Sequence, residues 1–153
     1  MTSSDDGYRQ ALRWLAARPL TRAEVVRRLA RRGYPDPAGV AARLQREGWL
    51  SDAEVVEREL ARAVARREGR GRLKARLADR GVPPALQAEA LARFDPEAEW
   101  AAAWELARRD PPVDAKSRAR LARRLARRGF AASTIARLLE RWADPGDAPE
   151  TGE

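Results

Sequence analysis

Three groups of basic side chains carry most of the chemistry that this sequence can offer. Arg27, Arg28, Arg31 and Arg32 form the first, Arg70, Arg72, Lys74 and Arg76 the second, and Arg123, Arg124, Arg127 and Arg128 the third. In the first and third, like charges face each other at i,i+4, which costs an isolated helix roughly 0.2–0.5 kcal/mol per pair. A phosphate or an acidic protein face would relieve that repulsion. The second group follows Gly69 and is continued by Arg80. It lies around a helix start, where the dipole disfavours cations and an external anion would compensate. The competing reading for every group is a solvated arginine face in an arginine-biased composition, and common ancestry of repeats would copy such a face as well.

Covalent and redox chemistry has little to work with. The 153 residues include no His and no Cys, and the single Met is residue 1. An imidazole base, a thiolate nucleophile and a soft-metal ligand set are therefore missing. Glu54, Glu57 and Glu59 lie beside Arg58 and Arg62 and read as surface ion pairs rather than a two-carboxylate site. No glycine-rich phosphate loop ending in Lys and Ser or Thr occurs. We therefore expect no catalytic residue, no metal site and no cofactor, hence no enzyme. Lys and Arg total 31 against 23 acids, for a net charge of +8, and only Lys74 and Lys116 among the 31 are lysines. Such a field suits an anionic partner. No apolar run is long enough to span a membrane, and residues 1–7 lack the features of a signal peptide, so the expected place is the cytoplasm.

The elements that must position these groups read as helix throughout. Val25, Val26, Leu29 and Ala30 make one helical stripe, Val56, Leu60 and Val64 a second, and Trp100, Trp104 and Ala107 a third. Thr21 with Glu24, and Ser51 with Glu54, have capping-box spacing. Asp95, Pro96, Glu97 and Glu99 supply a cap, a fixed first turn and favourable dipole charges. Trp14, Trp100, Trp104 and Trp142 belong to apolar stripes and are expected in cores, whereas Trp49, just before a cap, suits either core or surface.

One pattern occurs three times: Leu29-Ala30-Arg31-Arg32-Gly33-Tyr34, Leu77-Ala78-Asp79-Arg80-Gly81-Val82 and Leu125-Ala126-Arg127-Arg128-Gly129-Phe130. The copies are evenly spaced, the interval from Gly33 to Gly81 being equal to that from Gly81 to Gly129. Each Gly suits a left-handed residue that ends a helix, and the apolar residue after it can pack back on the last turn. A further apolar run follows every copy: Val40 and Leu44, then Leu86, Leu91 and Phe94, then Ile135, Leu138, Leu139 and Trp142. The expected fold is all-α, with three tandem three-helix repeats, small helix-turn-helix-like bundles, in an elongated and curved array. The expected division is a disordered N-terminus at 1–7, repeats at 8–50, 51–94 and 95–142, and a disordered acidic tail at 143–153, which has four acids and no basic residue.

Taken in order, several stretches resemble the RecX family, small bacterial regulators of the recombinase RecA. The resemblance covers about residues 8–142. It rests on Ala11 through Thr21 with Glu24, on Leu44 and Gly48-Trp49-Leu50-Ser51-Asp52, on Gly69, Arg72-Leu73, Leu77 and Arg80-Gly81-Val82, and on Arg127-Arg128-Gly129-Phe130 with Ile135 and Leu138. Val55-Val56 depart from the family's aromatic and small pair, and Gly71 stands where a basic residue is common; the Gly implies added flexibility before the following helix. The resemblance implies a monomeric, non-enzymatic regulator in DNA repair, recombination and the SOS response. Such a protein binds RecA, above all the RecA filament on single-stranded DNA, and modulates its ATPase, strand-exchange and co-protease activities. The alternative is a stand-alone helix-turn-helix-like protein that binds single- or double-stranded DNA, and a third is a scaffold for another acidic helical partner.

Overall fold

The computed structural model describes residues 2–142, all of whose regular structure is helical. In chain order the helices are α1 Ser4–Ala17, α2 Arg22–Arg31, α3 Pro37–Arg46, α4 Asp52–Ala65, α5 Arg70–Asp79, α6 Pro84–Ala92, α7 Pro96–Arg108, α8 Ala115–Arg127 and α9 Ala132–Glu140. The acidic stretch 143–153, expected to be a disordered tail, lies outside the described residues.

Helix starts follow from local side-chain chemistry. The Thr21 hydroxyl accepts the Glu24 N–H at 3.1 Å, and the Glu24 carboxylate accepts the Thr21 N–H at 3.1 Å. Within the stretch 1–7, expected to be disordered, residues 4–7 instead form the first turn of α1. Ser3 and Asp6 form a capping box there, with Asp5 and Asp6 placed favourably in the first turn. At α7 the Asp95 carboxylate accepts the Glu97 N–H at 3.0 Å, with Pro96 at the first helical position.

The helix ends bear out the evenly spaced pattern. Gly33, Gly81 and Gly129 have φ of +76°, +73° and +89°. Each donates its N–H three residues back at 3.0 Å, to Ala30, Ala78 and Ala126. The apolar residue that follows each Gly donates five residues back, Tyr34 to Leu29 and Val82 to Leu77 at 3.0 Å, and Phe130 to Leu125 at 3.2 Å. This pairing satisfies the last carbonyls of α2, α5 and α8 and lets the apolar residue cover the final turn.

The chain forms two compact units, the described parts of Met1–Ala61 with Arg76–Ala90, and of Arg62–Ala75 with Leu91–Glu153. Residues of the stretch 51–94 contribute to both. The first unit's core contains Ala11, Leu20, Val25, Leu29, Val40, Ala41, Leu44 and Leu50, flanked by Tyr8, Trp14 and Tyr34. The second contains Ala103, Ala107, Leu121, Leu125, Phe130, Ile135 and Leu138, flanked by Trp100, Trp104 and Trp142. Val64, expected on the apolar stripe of α4, is 68% exposed. The buried line of that helix runs through Asp52, Val55, Val56, Glu59 and Ala63, one residue off the expected stripe. Trp49 is also on the surface, at 60% exposure.

Candidate anion-binding and partner surfaces

On α2 the four arginines divide into two pairs. Arg28 and Arg32 place their guanidinium carbons 5.6 and 5.5 Å from the centre of the Trp14 ring, so an aromatic face from α1 offsets part of their mutual repulsion. Arg27 and Arg31 are exposed and make no ion pair among the described residues. Trp14 thus acts as a platform at the edge of the core rather than as interior filling.

On α5 the expected group comes apart. Arg76 Nε lies 2.6 Å from the Glu59 carboxylate, and Arg80 reaches the same carboxylate at 3.0 Å and that of Glu24 at 2.9 Å. Glu59 is only 6% exposed. The expectation that Glu59 is an ordinary surface acid is corrected by this network, since the acid sits at the centre of the buried line of α4 and draws both guanidiniums to it; Arg76, expected to serve a partner, is engaged by Glu59 here. Burial pushes the Glu59 carboxyl up, but hydrogen bonds and charge from Arg76 and Arg80 more than offset this and hold it below the ordinary value. Arg70, Arg72 and Lys74 are exposed. The unfavourable charge at the start of α5 has an internal answer, because the Glu99 carboxylate accepts the Arg70 N–H at 3.0 Å. Arg72 also donates to the Arg127 carbonyl at 3.5 Å.

Gly71 adds no slack. Its N–H donates to the Gly129 carbonyl at 3.0 Å, and a Cβ there would stand 3.0 Å from that same oxygen. The expected flexibility is replaced by a close approach of two backbones.

On α8 the third group is again divided. Arg128 donates its guanidinium to the carbonyls of Arg66 and Arg67, the latter at 3.4 Å, so its charge serves the fold. Arg124 lies 3.7 Å from Asp110 and 3.5 Å from the Leu106 carbonyl. Arg123 and Arg127 are exposed and make no ion pair among the described residues. With Arg120 and Arg124 they line a groove closed on its other side by Asp110, Pro111 and Ser117, and an adjoining depression brings in Arg109. Arg109 and Arg120 fall outside the three groups expected from the sequence. Arg120 lies at i−4 from Arg124 and extends the same face, a signal available from spacing, whereas Arg109 joins only through the packing of α7 on α8. Val113, 89% exposed, adds an apolar spot at the mouth.

The aromatic side chains of the second unit carry cations as well. Trp104 stacks on Trp142 at 4.9 Å between centroids, Arg141 lies over Trp104 at 5.6 Å, and Arg137 over Trp100 at 4.3 Å.

The groove on α8 has the chemistry of a phosphate track, with guanidiniums spaced along a helix and little acid to cancel them. Changing Arg123 and Arg127 together to Gln is expected to leave the thermal midpoint unchanged and to weaken association with single-stranded DNA. The logarithmic salt slope of binding should then fall by roughly 0.7 for each phosphate no longer neutralised. Titration of a fluorescent oligonucleotide at several salt concentrations checks this; an unchanged slope would remove the groove from consideration.

A family model described as RecX, first three-helix domain, matches residues 8–42. The Regulatory protein RecX of Chromohalobacter salexigens is 37% identical over 124 residues, which cover 78% of this chain and 82% of that protein. That of Leptothrix cholodnii is 38% identical over 136 residues, 85% of each chain. That of Mycolicibacterium smegmatis is 34% identical over 141 residues, 84% of this chain and 75% of the relative. The crystal structure of RecX from Lactobacillus salivarius superposes with a TM-score of 0.78 over 92% of this chain and 96% of that one, at 18% identity. A second crystal structure of regulatory protein RecX gives 0.75 over 90% and 71%. At this identity the two structures speak for the fold.

Proposed function

This chain belongs to the RecX family of regulatory proteins, and from that premise we propose that it binds RecA, polymerised on single-stranded DNA, and restrains its ATP hydrolysis, strand exchange and co-protease output. The protein acts by binding. Its relatives are named as regulators, and its side chains supply neither thiolate nor imidazole.

The observation that carries the reading is the uneven treatment of equivalent arginines. Arg76 and Arg80 are drawn to Glu59 inside the fold. Their counterparts one repeat earlier, on α2, are Arg28 and Arg32, and the position equivalent to Glu59 is there held by Ala11. The α2 end therefore keeps its positive charge for a partner, as does the α8 groove. A filament on DNA offers phosphate to the α8 groove, and an acidic patch on its protein face would suit the α2 end.

A plain DNA-binding role is the second reading, favoured by the α8 groove. The two differ in stoichiometry. A RecA modulator slows DNA-dependent ATP hydrolysis at a small fraction of the RecA concentration, whereas a strand-coating protein acts only near saturation of the DNA.

A further inference from the structure

The same helix junction is built twice within this chain, and the second helix of the first repeat presents a third copy of half of it. In the first unit, the start of α2 meets the end of α5. The Thr21 hydroxyl donates to the Arg80 carbonyl at 2.6 Å, and the Arg80 guanidinium donates to the Pro19 carbonyl at 3.0 Å. The Arg22 N–H goes to the Asp52 carboxylate at 2.7 Å. In the second unit, the start of α5 meets the end of α8. The Gly69 N–H donates to the Arg128 carbonyl at 2.8 Å, and the Arg128 guanidinium donates to the Arg67 carbonyl at 3.4 Å. The Arg70 N–H goes to the Glu99 carboxylate. Pro19 and Arg67, Thr21 and Gly69, Arg22 and Arg70, and Arg80 and Arg128 are each separated by the same interval as Gly81 and Gly129.

At both junctions the closing Gly leaves room for the incoming helix. A Cβ on Gly81 would stand 2.5 Å from that of Ala23, and a Cβ on Gly129 would overlap the Arg72 backbone nitrogen. The third such end, Arg32–Gly33, has the same left-handed Gly and the same preceding Arg. A Cβ on Gly33 meets nothing within 4 Å, and the Arg32 guanidinium, unlike those of Arg80 and Arg128, reaches no carbonyl among the described residues and lies over the Trp14 ring. Beside it, a shallow depression is lined by Trp14, Arg28, Arg31 and Arg32.

We propose that this end of α2 docks the N-terminal turn of a helix from a partner protein. The two internal occupants define its chemistry. The capping residue of the incoming helix follows closely on a carbonyl that an Arg can take, as Thr21 follows Pro19 and Gly69 follows Arg67. The helix carries a small residue at its second position, as with Ala23 and Gly71. A carboxylate lies beside its first N–H, as with Asp52 and Glu99. Arg31, Arg32 and the half-exposed Arg28 favour an acidic helix start over a neutral one. A second copy of this chain does not supply it from the equivalent place: Ser117, one repeat after Gly69, lies inside α8, which begins at Ala115 and is capped by Asp114. Hydrogen bonds from the Ser117 N–H and hydroxyl hold the Asp114 carboxyl below its ordinary value, so that start is already satisfied.

The identity of the partner rests on the RecA reading, and the test separates the two. Wild type, Gly33→Asn and Arg32→Ala are titrated against RecA filaments assembled on single-stranded DNA and, separately, against the bare DNA. Asn tolerates the left-handed conformation, and the site is open, so helix content and thermal midpoint should stay close to wild type. Both variants should bind the filament about tenfold more weakly, Gly33→Asn by filling the space the incoming helix needs and Arg32→Ala by losing one well-placed donor, with less than about a twofold change on bare DNA. Filament binding equal to wild type overturns the docking proposal and leaves the RecA reading intact, and so does an equal loss on filament and bare DNA. No filament binding by wild type removes the RecA reading, and the docking proposal with it. If Asn at 33 disturbs the fold, Arg32→Ala, a truncation at an exposed side chain, decides the matter alone.

Discussion

Gly129→Ala is expected to destabilise the protein by about 3 kcal/mol or more, and Gly33→Ala by about 1 kcal/mol. Both residues have positive φ, +89° and +76°, and an L-residue held there costs roughly 1–2 kcal/mol. The two positions differ in their surroundings. A methyl group on Gly129 overlaps the backbone of Arg72 at the start of α5, whereas the same group on Gly33 enters open space. A backbone cannot rotate out of the way as a side-chain tip does. Relief at 129 therefore means separating the ends of α5 and α8 and breaking the Gly69-to-Arg128 and Gly71-to-Gly129 hydrogen bonds. Chemical denaturation of the two variants checks the contrast. Equal losses would show that the junction has slack.

Glu59→Gln is expected to cost about 3 kcal/mol, the scale for breaking a buried ion pair by removing one partner. The substitution keeps the shape of the side chain and removes the negative charge shared by Arg76 and Arg80, which are 18% and 19% exposed. The pH dependence gives a second reading. The folded-state carboxyl is held below its ordinary value of 4.5. Its contribution is therefore fully present above about pH 4.5 and is lost as pH falls through the lower, folded value. The gap between wild type and Glu59→Gln should accordingly be constant near neutrality and narrow in acid. A gap that stays constant down to about pH 2 would mean that the charge of Glu59 does not set its contribution.

These two residues also mark where the sequence is transparent and where it is opaque. Gly129 is legible as a helix end because that part of its role is local, whereas its close approach to Arg72 is not. An apolar stripe, a Gly and an apolar residue specify a helix end through bonds three and five residues long, and the repeat makes the same statement three times. Glu59 is not legible in the same way, since Arg58 and Arg62 beside it offer an ordinary surface explanation, while its actual partners lie 17 and 21 residues away. The available signal is its position between Val55, Val56 and Ala63, at the centre of a buried line. Arg128 likewise shares its type with its neighbours, yet its acceptors are carbonyls 61 and 62 residues away. Composition identifies arginines that can bind an anion; only the packing decides which of them the fold has already used. Residues 3–6 mislead for a smaller reason: Asp6 stands where the usual capping box has Glu, and its shorter carboxylate still reaches the Ser3 N–H at 2.9 Å.

The most direct test of the regulatory role is a titration of RecA's DNA-dependent ATP hydrolysis, with the protein added either before RecA or to filaments already assembled on single-stranded DNA. A filament regulator slows hydrolysis at ratios well below one protein per RecA. Arg32→Ala, with its fold intact, should then need about ten times the concentration for the same effect. The opposite result is inhibition that appears only when the protein approaches saturation of the DNA, and that Arg123→Gln with Arg127→Gln abolishes while Arg32→Ala leaves it untouched. That outcome would contradict the regulatory role and leave a DNA-coating protein in its place.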